Sequence, residues 1–380
     1  MSSPSPSRRD FLQASAGAAL SWTLPAMLPA AEETLERRNE QEGMRYRRLG
    51  RTRFSVSEIV MGGNEITPTN YEHVLWALDH GLNYLDTSPA YGRGQSELGF
   101  AKVLKSRPRD QLFLTSKVSL WDENRNRQFA EIFDSLAADE QKTLRQRALE
   151  QIERERTAAP DYFGHYFGAQ IRELEAAALS NVMEQEYGRR LDRGRHYRQL
   201  IIESVDGSLE RLGTDHLDIL MCPHGASSPY ELTQFPEIFE AFEELKRAGK
   251  VRHLGVSAHS DPAGVLRAAL QTGVYSVAML AYNVVNHTFV DAALAEAHAR
   301  DFGVIAMKVA RPVYPGLGRG DGHATGIRRL EQEIPGDWSL PQRAYLWALQ
   351  NPHLSAAISN MVDLDQVQAN LKLPAARQTG

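Results

Sequence analysis

Disulfide chemistry is the first thing this sequence lacks. Only one of its 380 residues is a cysteine, Cys222, so no internal disulfide can form. A cysteine-ligated iron–sulfur cluster and a cysteine-rich zinc site are excluded with it. Charge of one sign is lacking too: 43 basic residues stand against 48 acidic ones, mixed along the chain. A net charge of -5 leaves no basic footprint for nucleic acid. The glycine-rich turn that cradles a dinucleotide in doubly wound folds is missing as well, since "VMGGNEITP" (60–68) does not supply it. What remains is a chain with 42% hydrophobic residues, enough to bury a large core as one big domain or two ordinary ones.

The N-terminus has a grammar of its own. Arg8 and Arg9, with Phe11 and Leu12, precede "ASAGAALSWTLPAMLPAA", which is apolar, rich in small residues and uncharged. A basic pair followed by such a run reads as an export signal, and the adjacent arginines resemble the twin-arginine signal, an address read by a receptor. A membrane anchor is the competing reading, but the run from Phe11 to Leu28 is barely long enough and Pro25 interrupts it. No lipid-attachment cysteine follows, and no clean small-x-small triplet precedes Glu32. The expectation is a signal peptide over 1–31, the twin-arginine export machinery as a partner, and a periplasmic destination. Residues 32–43 read as a polar linker, and 44–380 as the folded unit.

Beyond the linker, apolar strand-like runs alternate with amphipathic helical segments. The runs are "EIVMGG", "NYLDTS", "LFLTSKV", "LDILMCPH", "RHLGVSAHS", "SVAMLAYN", "GVIAMKV" and "LSAAISN". Helical patterns such as "PEIFEAFEELKRAGK" and "PAGVLRAALQTG" lie between them, several ending in glycine as helix C-caps do. Repeated strand–helix units imply parallel strands, and eight of them close into a (β/α)8 TIM barrel rather than an open sheet. Residues 122–198 break the rhythm with helical patterns around "PDYFGHYF" (160–167). Because this insertion follows a strand and precedes its helix, it must emerge at the C-terminal mouth, where barrel enzymes keep their sites. Tyr162, Phe163, Tyr166 and Phe167 are then either a lid touching substrate or the glue that fixes the hairpin to the barrel or to a second chain.

The last residues of the strands should point into that mouth: Asn64, Asp86, Lys117, His224, Ser257 with His259, Asn283, Lys308 and Asn360. Polar and ionisable residues at the ends of otherwise apolar strands favour a site. A buried Lys117 needs a partner, and Asp86 on the neighbouring strand is the natural one. Tyr91 follows in the loop after Asp86. A phenol titrates near a pKa of about 10, too high for ready proton donation at neutral pH, and a nearby cation lowers it. His224 would orient a carbonyl oxygen. Taken singly, each residue also fits a structural ion pair, a packed aromatic or a rim histidine.

These residues carry a resemblance. "MRYRRLGRTRFSVSEIVMGG", "GLNYLDTSPAYGRGQSELG", "FLTSKV", "SLERLGTDHLDIL", "LKRAGKVRHLGVS" and "DFGVIAMK" together resemble the aldo-keto reductase family, from Met44 to near Asn370 with the insertion as an interruption. The resemblance implies a barrel whose floor is closed by a hairpin around Leu49 to Val56, and hydride transfer between a nicotinamide cofactor, NAD or NADP, and a small carbonyl compound, alcohol or sugar. It implies catalytic roles for Asp86, Tyr91 and Lys117, with Tyr91 as proton donor; Ser257, Asn283, Asn360 and Asn370 are candidates for cofactor contact, and Lys308 for a cofactor phosphate contact, a substrate carboxylate contact or a plain barrel ion pair. Asn64 and His259, with Tyr162 and Tyr166 of the insertion, are candidates for the substrate pocket.

The chain departs from the family pattern at several of these positions. The family's histidine stands five residues after the aspartate of the "LD" pair, but Asp218 plus five is Pro223, and His224 comes one later. A one-residue step turns a strand side chain to the other face unless a bulge restores it. Ala258, Met279 and Met307 replace usual nicotinamide contacts. Asn360, Met361, Val362 and Gln366 stand where Lys or Arg reads the adenosine 2'-phosphate, which argues against a preference for NADP. Two other readings stay open: a degenerate barrel that binds a ligand or partner through the insertion without redox chemistry, and a metal-activated water held by His224, His259 and Asp86. The insertion is also a candidate surface for self-association.

Overall fold

The structure is a computed structural model that describes residues 34–155, 171–314 and 324–376. Its centre is a closed barrel of parallel strands: β4 (Ile59–Gly62), β5 (Tyr84–Asp86), β6 (Phe113–Lys117), β7 (Leu217–His224), β8 (Val251–Ala258), β9 (Val277–Ala281), β10 (Gly303–Met307) and β11 (Ala356–Ser359). Strand β11 pairs with β4 and closes the ring. Successive side chains of a strand point to opposite faces, and this divides the core in two. Val60, Tyr84, Phe113, Ile219, Met221, Val277, Met279, Ile305 and Met307 fill the barrel interior. Ile59, Met61, Leu85, Leu114, Leu220 and Leu254 face outward and pack under the surrounding helices. The expected (β/α)8 barrel is therefore the observed fold. Met279 and Met307, both almost fully buried, belong to the interior packing.

The floor of the barrel contains more than a hairpin. Strand β2 (Tyr46–Arg48) runs antiparallel to β3 (Phe54–Ser57), and Leu49, Phe54 and Val56 plug the interior from below, with Phe54 stacked on Phe113 at 4.4 Å. Gly50 makes this seal possible. Its backbone lies so close to β10 that a Cβ would stand 2.2 Å from the Gly303 nitrogen, at a φ of +49°. The linker expected over 32–43 is described from residue 34 on, and here the structure corrects the sequence reading. Glu36–Arg37 form a strand, β1, parallel to β3. Arg38 and Arg252 bond Glu36 and also reach Asp218, whose other oxygen accepts from Arg109 at 2.7 Å. The charges that made this segment look like linker are its attachment to the floor. Residues 1–31, read as a signal peptide, lie outside the described residues.

Between β6 and β7 stand the helices Leu120–Asp134, Ala138–Glu155 and Ile171–Tyr187, followed by a π-turn, Gly194–Gln199, that runs directly into Leu200–Leu212. They own a separate core, in which Phe129, Phe133, Leu144, Ala148, Leu174, Val182 and Met183 are buried. The extra helices begin at Leu120, two positions before the expected start at 122, because Ser119 already has helical backbone angles. Tyr162 and Tyr166, with Phe163 and Phe167, lie outside the described residues. No described helix is long and apolar enough to cross a membrane.

Candidate active site

Strands β5 and β6 are neighbours, and their register brings Asp86 level with Thr115, two residues before Lys117. Lys117 Nζ donates to both Asp86 oxygens at 2.6 Å and to the Thr87 carbonyl at 2.7 Å. Both side chains are about 1% exposed, so neither charge has water to solvate it. Such a pair persists because each charge satisfies the other in good geometry. Burial pulls the Lys117 ammonium down, but Asp86 and then Tyr91 outweigh it and hold the ammonium above its usual pKa.

The loop after β5 delivers Tyr91. Gly92, Arg93 and Gly94 follow it with φ of +57°, +55° and +87°, a run of left-handed residues that turns the chain from the strand end into the helix Gln95–Ser106. Two glycines make that turn inexpensive, and Arg93 adopts it between them. Lys117 Nζ lies 4.8 Å from the Tyr91 ring centroid, the nearest cation to the phenol that the geometry shows. The sequence reading expected a lowered phenol pKa, and the structure reverses this. Burial raises the Tyr91 pKa, and Lys117 offsets only part of the rise, because its charge is already shared with Asp86. Without substrate, Tyr91 is held as the protonated phenol.

His224 reaches the same place. The register of β7 against β8 shifts between Met221 and His224, where the Cys222–Pro223 bond is cis, so that His224 pairs with Ser257. This irregularity absorbs the extra residue, and the ring meets Tyr91 edge-on, 6.0 Å between centroids. Burial first, then Lys117 and Lys308, push its pKa well below the usual value, so the imidazole is neutral. Its Nδ1 bonds Ser119 Oγ at 2.8 Å, and Ser119 in turn bonds Ser88. Neither serine was foreseen. Each stands two residues beyond a strand-end ionisable group, Asp86 or Lys117, and that period-2 spacing is the signal that could have found them.

The remaining candidates divide. His259 is buried, and after burial itself Lys308 and His224 are the largest influences depressing its pKa, which puts the three in one neighbourhood. Lys308 is pushed down to about 8 by burial, then by Arg311 and Lys117. Ser257 is buried, and its Oγ accepts from Gly225 N–H at 3.0 Å, leaving the hydroxyl proton available. Asn283 shapes a turn: its Oδ1 accepts from the Val285 and Asn286 N–H groups, and its amide donates one N–H to the Lys308 carbonyl. Asn370 donates to Ser359 Oγ at 3.0 Å beside β11. Asn360 is exposed at the end of β11, and Asn64 is exposed and bonded to Glu65. Asp86, His224 and His259 do not assemble as metal ligands. Both Asp86 oxygens are taken by Lys117, and no cluster of three or more His, Cys, Asp or Glu occurs among the described residues.

The assembled groups can bind and protonate a carbonyl oxygen: a protonated phenol, a cation behind it and a neutral imidazole beside it. The mouth also fits the anionic part of a dinucleotide. After burial, the charges of Arg311 and Lys117 depress the Lys308 pKa to about 8, so positive charge gathers on this side of the mouth. A diphosphate is the complement of that charge.

Comparison with known proteins agrees with this geometry. The 217-residue match to the Aldo-keto reductase YhdN of Bacillus subtilis is 27% identical, and covers 57% of this chain and 44% of that protein. The NADH-specific methylglyoxal reductase of Escherichia coli is 24% identical over 314 residues, 77% of this chain and 78% of that protein. Among solved structures, the holo form of the aldo-keto reductase AKR11C1 from Bacillus halodurans superposes with a TM-score of 0.57 at 21% identity, over 87% of this chain and 90% of that one. The sequence profile of the Aldo/keto reductase family matches residues 58–167 and 190–377. With most of the chain matched and the barrel closed around an Asp–Lys–Tyr–His mouth, the chain belongs to the aldo/keto reductase family of NAD(P)-dependent oxidoreductases.

Proposed function

We propose that the protein reduces a small carbonyl compound or sugar, or oxidises the corresponding alcohol, with Tyr91 as the group that exchanges the proton. The observation that carries this reading is the buried Asp86–Lys117 pair with Lys117 against Tyr91. A bound nicotinamide supplies or accepts the hydride. The chain's own residues supply the rest. Tyr91 O–H donates to the carbonyl oxygen, and as the proton leaves, the phenolate gains the full benefit of the ammonium behind it, an interaction stronger in the transition state than in the resting enzyme. Asp86 keeps Lys117 charged and in place, and His224 fixes the oxygen from the side. Diphosphate contact by Lys308 and Arg311 belongs to the same reading.

Two finer points are also proposals. The cofactor is NADH in preference to NADPH, because Asn360, Val362, Gln366 and Asn370 offer no cation to a 2'-phosphate. The relative from Escherichia coli bears an NADH-specific name, which is in keeping with this. Arg8 and Arg9 route the protein to the periplasm through the twin-arginine machinery. Replacing both with Lys should leave the protein in the cytoplasm, and an unchanged periplasmic yield would overturn the routing.

The test of the reaction is a tryptophan-fluorescence titration of leader-free protein with NADH and NADPH, followed by turnover of Tyr91→Phe. Expected are micromolar binding of NADH, weaker binding of NADPH, and a variant that binds NADH normally but has lost turnover. Failure of either cofactor to bind at millimolar concentration, or full activity in Tyr91→Phe, would remove the proposal.

A further inference from the structure

The hydrogen-bond chain behind His224 selects one tautomer of that imidazole. Three atoms are in line: Ser88 Oγ, Ser119 Oγ and His224 Nδ1. The far end of the chain is fixed by a group that can only donate, the Ala90 backbone N–H, which reaches Ser88 Oγ at 3.2 Å. Ser88 is completely buried, so its hydroxyl proton needs an acceptor inside the protein, and Ser119 Oγ is the acceptor the described residues provide. Ser119 thus receives a proton from Ser88 and has one of its own to give. The acceptor that the described residues offer it is Nδ1. If Nδ1 carried the proton instead, Ser119 would accept twice and donate to no described protein group. The arrangement in which every hydroxyl both gives and receives runs Ala90 N–H to Ser88 to Ser119 to Nδ1, and such chains reinforce themselves through polarisation.

We propose that Ser119, backed by Ser88, is a positioning residue that holds His224 as its Nε2–H tautomer, so that an N–H donor rather than a lone pair faces the reacting oxygen. No described residue bonds Nε2. A lone pair at Nε2 would repel a carbonyl oxygen, whereas an N–H there attracts it, increasingly as negative charge builds on that oxygen. The insertion has a part in this, because Ser119 is the residue immediately before the first extra helix, Leu120–Asp134.

The inference rests on the reductase reading for its purpose, but the tautomer can be read without any substrate. Long-range nitrogen–proton NMR of histidine-labelled protein at neutral pH distinguishes protonated from unprotonated ring nitrogens, and the His224 signal is assigned by its loss in His224→Gln. The expected result is Nε2 protonated and Nδ1 bare in the wild type, with mixed tautomers in Ser119→Ala and recovery in Ser119→Thr. Once a substrate is in hand, Ser119→Ala should lower kcat by about tenfold, the effect of one lost hydrogen bond, with cofactor affinity unchanged and Ser119→Thr restoring most of the rate. A protonated Nδ1 in the wild type overturns the proposal, as does a Ser119→Ala protein whose tautomer is unmoved. A protein that binds no nicotinamide cofactor would end the reductase reading while leaving the NMR result to stand by itself.

Discussion

At the scale of single residues, this site depends on charges that cannot be hydrated. Lys117 is locked to Asp86, and Lys308 is a second ammonium in the same mouth, pushed down to about 8 by burial and by the neighbouring Arg311 and Lys117. The sign of its effect on an anionic ligand follows. Below pH 8 the ammonium is charged and attracts a diphosphate; above it the charge is lost, and so is the attraction. His224 and His259 face the same region but are neutral throughout this window, since burial and the adjacent cations push their pKa values well down. The dissociation constant for NADH should therefore rise several-fold between pH 7 and pH 9 in a fluorescence titration. Lys308→Met should bind more weakly at pH 7 and show a flatter profile. An unaltered pH dependence in that variant would assign the titration elsewhere.

At the scale of elements, the question is what holds the extra helices to the barrel. Arg125, on the first of them, is completely buried and forms an ion pair with Glu231 at 3.6 Å. Arg125 also donates to Asn181 on the helix Ile171–Tyr187, and Asn181 donates to Ser228 in the loop beyond β7. Glu231 accepts the Ser227 N–H at 3.1 Å. The pair is incompletely satisfied, with Arg125 Nε and Nη2 and Glu231 Oε2 lacking hydrogen bonds. Removing one partner leaves a bare buried charge, which typically costs about 3–5 kcal/mol, while replacing both with apolar groups is often near neutral. Urea unfolding should therefore show Arg125→Met strongly destabilised and Arg125→Met with Glu231→Leu recovering most of the loss. If the double variant is no better than the single, the buried charges are not the reason for the loss.

At the scale of the whole molecule, distant parts of the chain are tied together by charge at the end opposite the site. Asp218, the second residue of β7, has no exposure, and Arg38, Arg109 and Arg252 converge on it from three parts of the chain. Burial would raise its pKa, but Arg109 and Arg38 with the Leu114 N–H outweigh it and the pKa is lowered. A carboxylate lowered on folding adds stability above its unfolded pKa of about 4, and that contribution fades as pH falls through the lower folded value. Asp218→Asn should cost about 3 kcal/mol near neutral pH by chemical denaturation. The gap from the wild type should narrow as the pH drops below about 4. A gap that stays constant down to pH 2 would mean that packing, not charge, sets the loss.

The sequence by itself determined the barrel and most of its mouth. Alternation along each strand divides apolar residues between two faces at a fixed period, so the strand ends, and Asp86, Lys117 and His224 upon them, are local facts of spacing. Tertiary structure decided whatever depends on distance between strands. Only the closed barrel could show that the register shift near Pro223 keeps His224 on the site, that the Asn283 carbonyl serves its own turn, and that residues 34–43 are pinned to the floor. It also decided the Tyr91 pKa, which sequence spacing alone put in the wrong direction. The size of a desolvation effect depends on how much water is excluded, and that is set by every element around the group together, not by its neighbours in the chain.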